Sequence, residues 1–105
     1  MKHGQNIICY GFFATLANPT RLAILEQLER GPMNVSGLAD LLDQEQSMSS
    51  HNLKLLELCH FITSERRGKE KYVFLNRDTI DPLFELVADH AKKFCDGGED
   101  CPLDS

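Results

Sequence analysis

The chain has 105 residues, of which 42% are apolar and 26% charged, and its formal net charge is −5. That is the make-up of one soluble globular domain with a modest core. No apolar run approaches the roughly 18–20 residues that span a bilayer, and no nucleotide loop or Ser/His/Asp set points to an enzyme.

The apolar run Ile7 to Ala14 has the look of a short secretory signal, but no small-residue cleavage site follows and its apolar spacing continues as an amphipathic helix. It is read as structure, and the protein as cytoplasmic. Asn6 is a candidate cap for a first helix running to about Ala17, with Ile8, Phe12, Phe13 and Leu16 at helical spacing. A second helix restarts at Asn18-Pro19-Thr20. Asn18 serves as cap and Pro19 takes the first helical position, where its missing N–H costs little. Leu22, Ile24, Leu25 and Leu28 form its apolar face, and Gly31-Pro32 stops it. Ser36 is the candidate cap of a third helix through Leu38, Ala39, Leu41 and Leu42. After a turn at 43–45, a fourth helix covers about Gln46 to Leu58, with Leu53 and Leu56 inward and Ser47, Ser50, His51 and Lys54 outward. Cys59 and His60 at its end are read as packing residues.

Two short strands follow, Ile62 to Arg66 and Tyr72 to Leu75, joined by a turn at Gly68. Asp78 or Thr79 would cap a long last helix in which Ile80, Leu83, Phe84, Val87, Ala91 and Phe94 recur every three or four residues. The predicted fold is mainly α with a small β-hairpin, in the order α-α-α-α-β-β-α. Residues 1–95 would form the domain and 96–105 a flexible acidic tail. The first and last helices both carry apolar stripes outside the compact middle, which predicts a homodimer built from the two ends of the chain.

A helix followed by a basic hairpin, with two short helices upstream, is the layout of a winged helix-turn-helix, which sets one helix in a DNA major groove and a hairpin beside it. The acidic sum does not oppose this, because charge is segregated. From Ser64 to Arg77 there are five bases (Arg66, Arg67, Lys69, Lys71, Arg77) against two acids (Glu65, Glu70), while the acids Asp96, Glu99, Asp100 and Asp104 gather in the tail.

Four segments in order resemble the ArsR/SmtB family of small winged-helix repressors, over about Phe12 to Cys95. They are Leu16-Ala17-Asn18-Pro19-Thr20-Arg21-Leu22-Ala23-Ile24-Leu25, Leu38-Ala39-Asp40-Leu41-Leu42, Ser50-His51-Asn52-Leu53-Lys54-Leu55-Leu56, and Arg67-Gly68-Lys69 with Tyr72. The resemblance implies a homodimeric repressor of double-stranded operator DNA, released by a metal or metalloid ion or by a thiol oxidant. Gln44 and Ser49 depart from it, standing where the family commonly has apolar residues at the start of the recognition helix.

The residues predicted to touch DNA are Gln46, Ser47, Ser50 and His51 at the front of the fourth helix, with Lys54, Arg66, Arg67 and Lys69 as phosphate binders. Gln46 suits adenine and His51 a guanine or a phosphate.

The inducer is less directly encoded. The family's cysteine pair in the third helix is missing, since that segment reads Val35-Ser36-Gly37-Leu38-Ala39-Asp40-Leu41. The family's last-helix site would have to use Asp78, Asp81, Asp89 and His90, which do not reproduce the paired spacing. There are four cysteines and no CxxC pair. Cys9, Cys95 and Cys101 are the candidate ligands of a thiophilic ion, with His90 or His3 as a possible addition. As(III), Sb(III), Cd, Pb or Zn would suit them, because soft ligands select soft ions. The rival reading of the same atoms is redox sensing, with Cys95 paired to Cys101 or Cys9. Two further readings are a regulator without an inducer and a winged helix that binds protein only. No cofactor is required by any of them.

Overall fold

The computed structural model describes residues 9–43 and 46–95, and among the side chains of the fourth helix those from Ser50 onward. The expected Asn6 cap, the departures at Gln44 and Ser49, the side chains of Gln46 and Ser47, and the tail with Cys101 lie outside the described residues.

Five helices and three strands follow in the order α1 (Tyr10–Leu16), α2 (Pro19–Leu28), β1 (Met33–Asn34), α3 (Val35–Leu41), α4 (Gln46–Leu58), β2 (Ile62–Arg67), β3 (Glu70–Leu75) and α5 (Arg77–Phe94). The predicted helices are all present, and their caps show why they begin where they do. Asn18 is extended and its Oδ1 accepts from the Arg21 amide at 3.0 Å, with Pro19 opening α2 as expected. Three expectations are corrected. Cys9 lies before the first helix, as its extended N-cap residue. The cap of α3 is Asn34 instead of Ser36, its Oδ1 accepting from the Gly37 amide at 2.6 Å. The last helix starts after Asn76, ahead of Asp78 and Thr79. Asn76 turns its side chain back to the end of α4, donating to the His60 carbonyl at 2.7 Å.

The sheet is antiparallel in the order β1-β3-β2. The two-residue strand β1, pairing Met33 with Val73 and Asn34 with Tyr72, was not foreseen, because two residues carry no periodicity. The hairpin β2–β3 turns at Gly68, whose φ of +64° lies in the region open to glycine. α4 ends in a Schellman arrangement: the His60 amide bonds to the Glu57 carbonyl and the Phe61 amide to Leu56, with His60 itself at φ +63°. His60 is exposed, so it does not pack at the helix end as expected.

The core is built from Ile24, Leu25 and Leu28 of α2, Leu38 of α3, Leu53 and Leu56 of α4, Phe61, Ile62 and Val73 of the sheet region, and Ile80 of α5. Burial of each large side chain contributes about 1.5–3 kcal/mol. Phe12 of α1 closes it edge-on against Phe61 at 4.9 Å. Arg77 fastens the start of α5 to the end of α2, donating to the Glu29 carbonyl at 2.7 Å. Beyond Phe84, α5 leaves the core: Leu86, Val87 and Phe94 are 66%, 56% and 72% exposed. Among the described residues no helix is long and apolar enough to cross a membrane.

Candidate nucleic-acid interface

α4 is two-sided. Asn52, Leu53 and Leu56 face the core, while Ser50, His51 and Lys54 are exposed. Ser50 and Lys54 are four apart and share one helical face. That face looks across a shallow groove towards the hairpin. The groove, about 310 Å³, is lined by Asn34, Ser36, Ser50, Arg66, Lys69 and Lys71 among others, and it continues along Lys54 and Glu57.

Strand alternation decides which wing bases take part. Ile62, Ser64 and Arg66 point to the same side of the hairpin as Val73 and Lys71, which is the side of α4. Arg67 points the other way, its guanidinium lying 5.3 Å and 5.2 Å from the ring centres of Tyr72 and Phe74. Its carboxylate partner is Glu65, at 3.6 Å. Of the predicted DNA contacts, Ser50, Lys54, Arg66 and Lys69 therefore converge on one surface with His51 exposed nearby, and Arg67 stands on the opposite face of the wing. Lys71 was not predicted as a contact, although its pairing opposite Arg66 in the hairpin would have assigned it to the same face.

The groove carries four bases, Lys54, Arg66, Lys69 and Lys71. Among the described residues the ion pairs are Arg67–Glu65 and Arg77–Asp81, and neither involves any of these four. The two acids nearby are engaged by neutral donors: Glu57 accepts from the Ser64 hydroxyl at 3.0 Å and Glu70 from the Asn34 side-chain amide. What remains is a basic concave surface with the Ser50 hydroxyl on its helical wall and His51 exposed nearby, which matches a phosphate backbone and an adjoining base edge.

The three described thiols form no disulfide. Cys9 is exposed, Cys95 is half-buried as the C-cap residue of α5, and both are free. Cys59 is half-buried against the core, with its Sγ 3.2 Å from the Thr15 hydroxyl, in keeping with a packing role. His90 is exposed with its ring 4.9 Å from that of Phe94. Asp78, Asp81 and Asp89 are exposed along α5, Asp81 being paired with Arg77. Among the described residues no three His, Cys, Asp or Glu side chains converge in a way that could hold a metal ion.

A helix-turn-helix domain family matches residues 16–62, from the end of α1 to the start of β2. The chain is 43% identical over 77 residues to the HTH-type transcriptional regulator NmtR of Mycobacterium tuberculosis, covering 73% of this chain and 64% of that protein. It therefore spans less than two thirds of that relative's length. It is 31% identical over 79 residues to the transcriptional repressor SdpR of Bacillus subtilis, covering 71% of this chain and 88% of the relative. Among solved structures it resembles the homodimeric winged helix-turn-helix DNA-binding domain of a possible ArsR-family transcriptional regulator from Mycobacterium bovis. The TM-score is 0.73 and the identity 27%, over 80% of this chain and 78% of that one.

Proposed function

The chain belongs to the ArsR/SmtB family of winged helix-turn-helix transcriptional regulators, and we propose that it is a homodimeric repressor. In this reading α4 lies in the major groove of an operator, with Ser50 and His51, and beside them Gln46 and Ser47, reaching base edges. Lys54, Arg66, Lys69 and Lys71 hold phosphates. The observation that carries it is the groove between α4 and the wing, whose four bases form no ion pair among the described residues. Dimerisation is supported by the apolar face that α1, α2 and α5 leave exposed, where Phe13, Leu22, Leu83, Phe84 and Val87 surround a trough of about 400 Å³ with almost no polar lining. Two copies joined there would present two reading helices to one duplex, as the two-fold geometry of such regulators requires.

Release is proposed to come from a thiophilic ion held by Cys9, Cys95 and Cys101. Cys9 and Cys95 are free thiols, one exposed and one at a helix end. The described residues of a single subunit do not complete a three-ligand site, so the proposal rests on Cys101 and on thiols contributed across the dimer. The bound ion would supply charge and fixed geometry between the chain ends. The residues 96–105 act here as an inducer-binding extension of the domain formed by 1–95.

Selection of duplexes from a randomised pool by the full reduced chain tests the first part. Enrichment of an inverted repeat whose binding weakens steeply with salt is the expected result, and no enrichment would end the reading. Cadmium titration of wild type and Cys101→Ser, followed by thiolate-to-metal absorption, tests the second. An intense stoichiometric band that weakens in the variant is expected. A band indifferent to Cys101, or none, would remove the ion and leave a Cys95–Cys101 redox pair to be sought by mass spectrometry under peroxide.

A further inference from the structure

The wing reaches beyond the rest of the sheet. β1 pairs only with Tyr72 and Val73, so Glu70 and Lys71 of β3, and Arg66 and Arg67 opposite them, project as a two-stranded hairpin. Such a ribbon is marginally ordered in water by itself. A side chain from the body of the domain meets it near the tip. Asn34 donates through Nδ2 to the Glu70 carboxylate, while its Oδ1 accepts from the Gly37 amide at 2.6 Å and caps α3. Both ends of one carboxamide are thus used, and in only one orientation. Turned over, it would set an NH2 group against the Gly37 N–H and an oxygen against a carboxylate. Gly37 makes the arrangement fit: a Cβ at that position would fall 2.8 Å from Asn34 Oδ1.

We propose that Asn34 is a positioning residue for DNA binding, latching the wing tip to the start of α3 through Glu70 so that Arg66, Lys69 and Lys71 are held over the groove beside α4. This rests on the DNA-binding reading for its purpose but not for its existence. Glu70 is the register partner of Arg67 on the other face of the wing yet also lines the groove, where a carboxylate among bases weakens phosphate attraction. As the acceptor of a charge-assisted bond from the domain body, it has a reason to be there. An ordered wing presents its bases without first losing conformational freedom on binding, and a loosened wing does not.

The test separates capping from latching. Asn34→Ser keeps a good cap for α3 but its side chain is too short to reach Glu70. Glu70→Ala removes the other half of the latch and leaves the cap untouched. Wing order is read without DNA, from the heteronuclear NOEs of the Gly68 and Lys69 amides, and affinity from a mixed-sequence duplex of about 30 base pairs. Both variants should lower the wing NOEs, and Asn34→Ser should bind the duplex about threefold to tenfold more weakly with little loss of thermal stability. The double variant Asn34→Asp with Glu70→Gln reverses the polarity of the bond while preserving the cap, and should restore wing order. Wing NOEs equal to wild type in both single variants would overturn the latch. A loosened wing with unchanged affinity would overturn its role in binding. Should the wild-type chain bind no duplex at all, the DNA reading falls, and the wing NOEs still decide whether the latch exists.

Discussion

The buried carboxamide of Asn52 on α4 accepts a hydrogen bond from Arg21 Nη1 of α2 at 3.1 Å. The same guanidinium donates through Nε to the Thr15 carbonyl at 2.7 Å, and the Thr15 hydroxyl lies 3.2 Å from Cys59 Sγ. The last turn of α1 is therefore tied to α4 at two places, near its middle through Arg21 and Asn52 and just beyond its end through Cys59. Since α1 contributes Phe13 and Leu16 to the proposed dimer face, these bonds connect the setting of the two subunits to the setting of α4.

The Arg21–Asn52 pair gives a stability prediction. Asn52→Ala leaves a part-buried guanidinium short of an acceptor, and Arg21→Met leaves a buried amide oxygen short of a donor. Each is expected to cost about 1.5–3 kcal/mol, the range for hydrogen bonds to charged groups. The two residues touch, so the double variant should lose clearly less than the sum. Urea denaturation of the four proteins measures the coupling, and strict additivity would show that the contact contributes nothing.

The three described thiols should differ in reactivity. Cys9 is exposed, whereas Cys59 is half-buried and engaged with Thr15. Brief treatment of the native reduced protein with iodoacetamide, followed by peptide mass spectrometry, should find Cys9 modified first and Cys59 last, with the order lost in urea. Faster labelling at Cys59 than at Cys9 would mean that the end of α4 opens readily.

On the wing, the two faces of the hairpin predict two kinds of outcome. Lys71→Gln removes a base from the groove. The dependence of log affinity on log salt should flatten by about 0.9 for each phosphate no longer neutralised, or about 1.8 for a dimer. Arg67→Gln should change that slope less, because its guanidinium is held over Tyr72 and Phe74 and beside Glu65 on the other face. Equal slopes for the two variants would show that the wing rotates on binding.

Most of this architecture was legible because helices announce themselves through spacing and caps. Asn18-Pro19 and the apolar repeats of α2 and α4 place those helices from sequence, and the Gly68 turn places the wing. What escaped was set by tertiary partners. Asn34 caps α3 in place of Ser36 because β1 brings it there, and β1 is too short to leave a pattern. Arg67 resembles its neighbour Arg66 in sequence, yet strand alternation sends the two to opposite faces. The division of α5 into a core half and an exposed half was only half visible, since Val87 and Phe94 continue the same stripe as Ile80. A periodic pattern states that a face is apolar and leaves open whether its own chain or another covers it.

That exposed stripe carries the last prediction. Val87 is 56% exposed in the single chain and lies in the trough with Phe13, Leu22 and Phe84. Val87→Glu should therefore leave the fold of one subunit intact, with unchanged far-ultraviolet circular dichroism. In a two-fold dimer the substitution occurs twice in one interface, and an unpaired carboxylate there costs about 3 kcal/mol or more. The dimer dissociation constant should rise by at least about a hundredfold, read by sedimentation equilibrium. Duplex binding should fall with it, because each half-site would then be held without the effective concentration that the linked partner supplies. A variant that remains dimeric would move the interface elsewhere, and one that is monomeric yet binds duplex as tightly as wild type would remove the dimer from the mechanism.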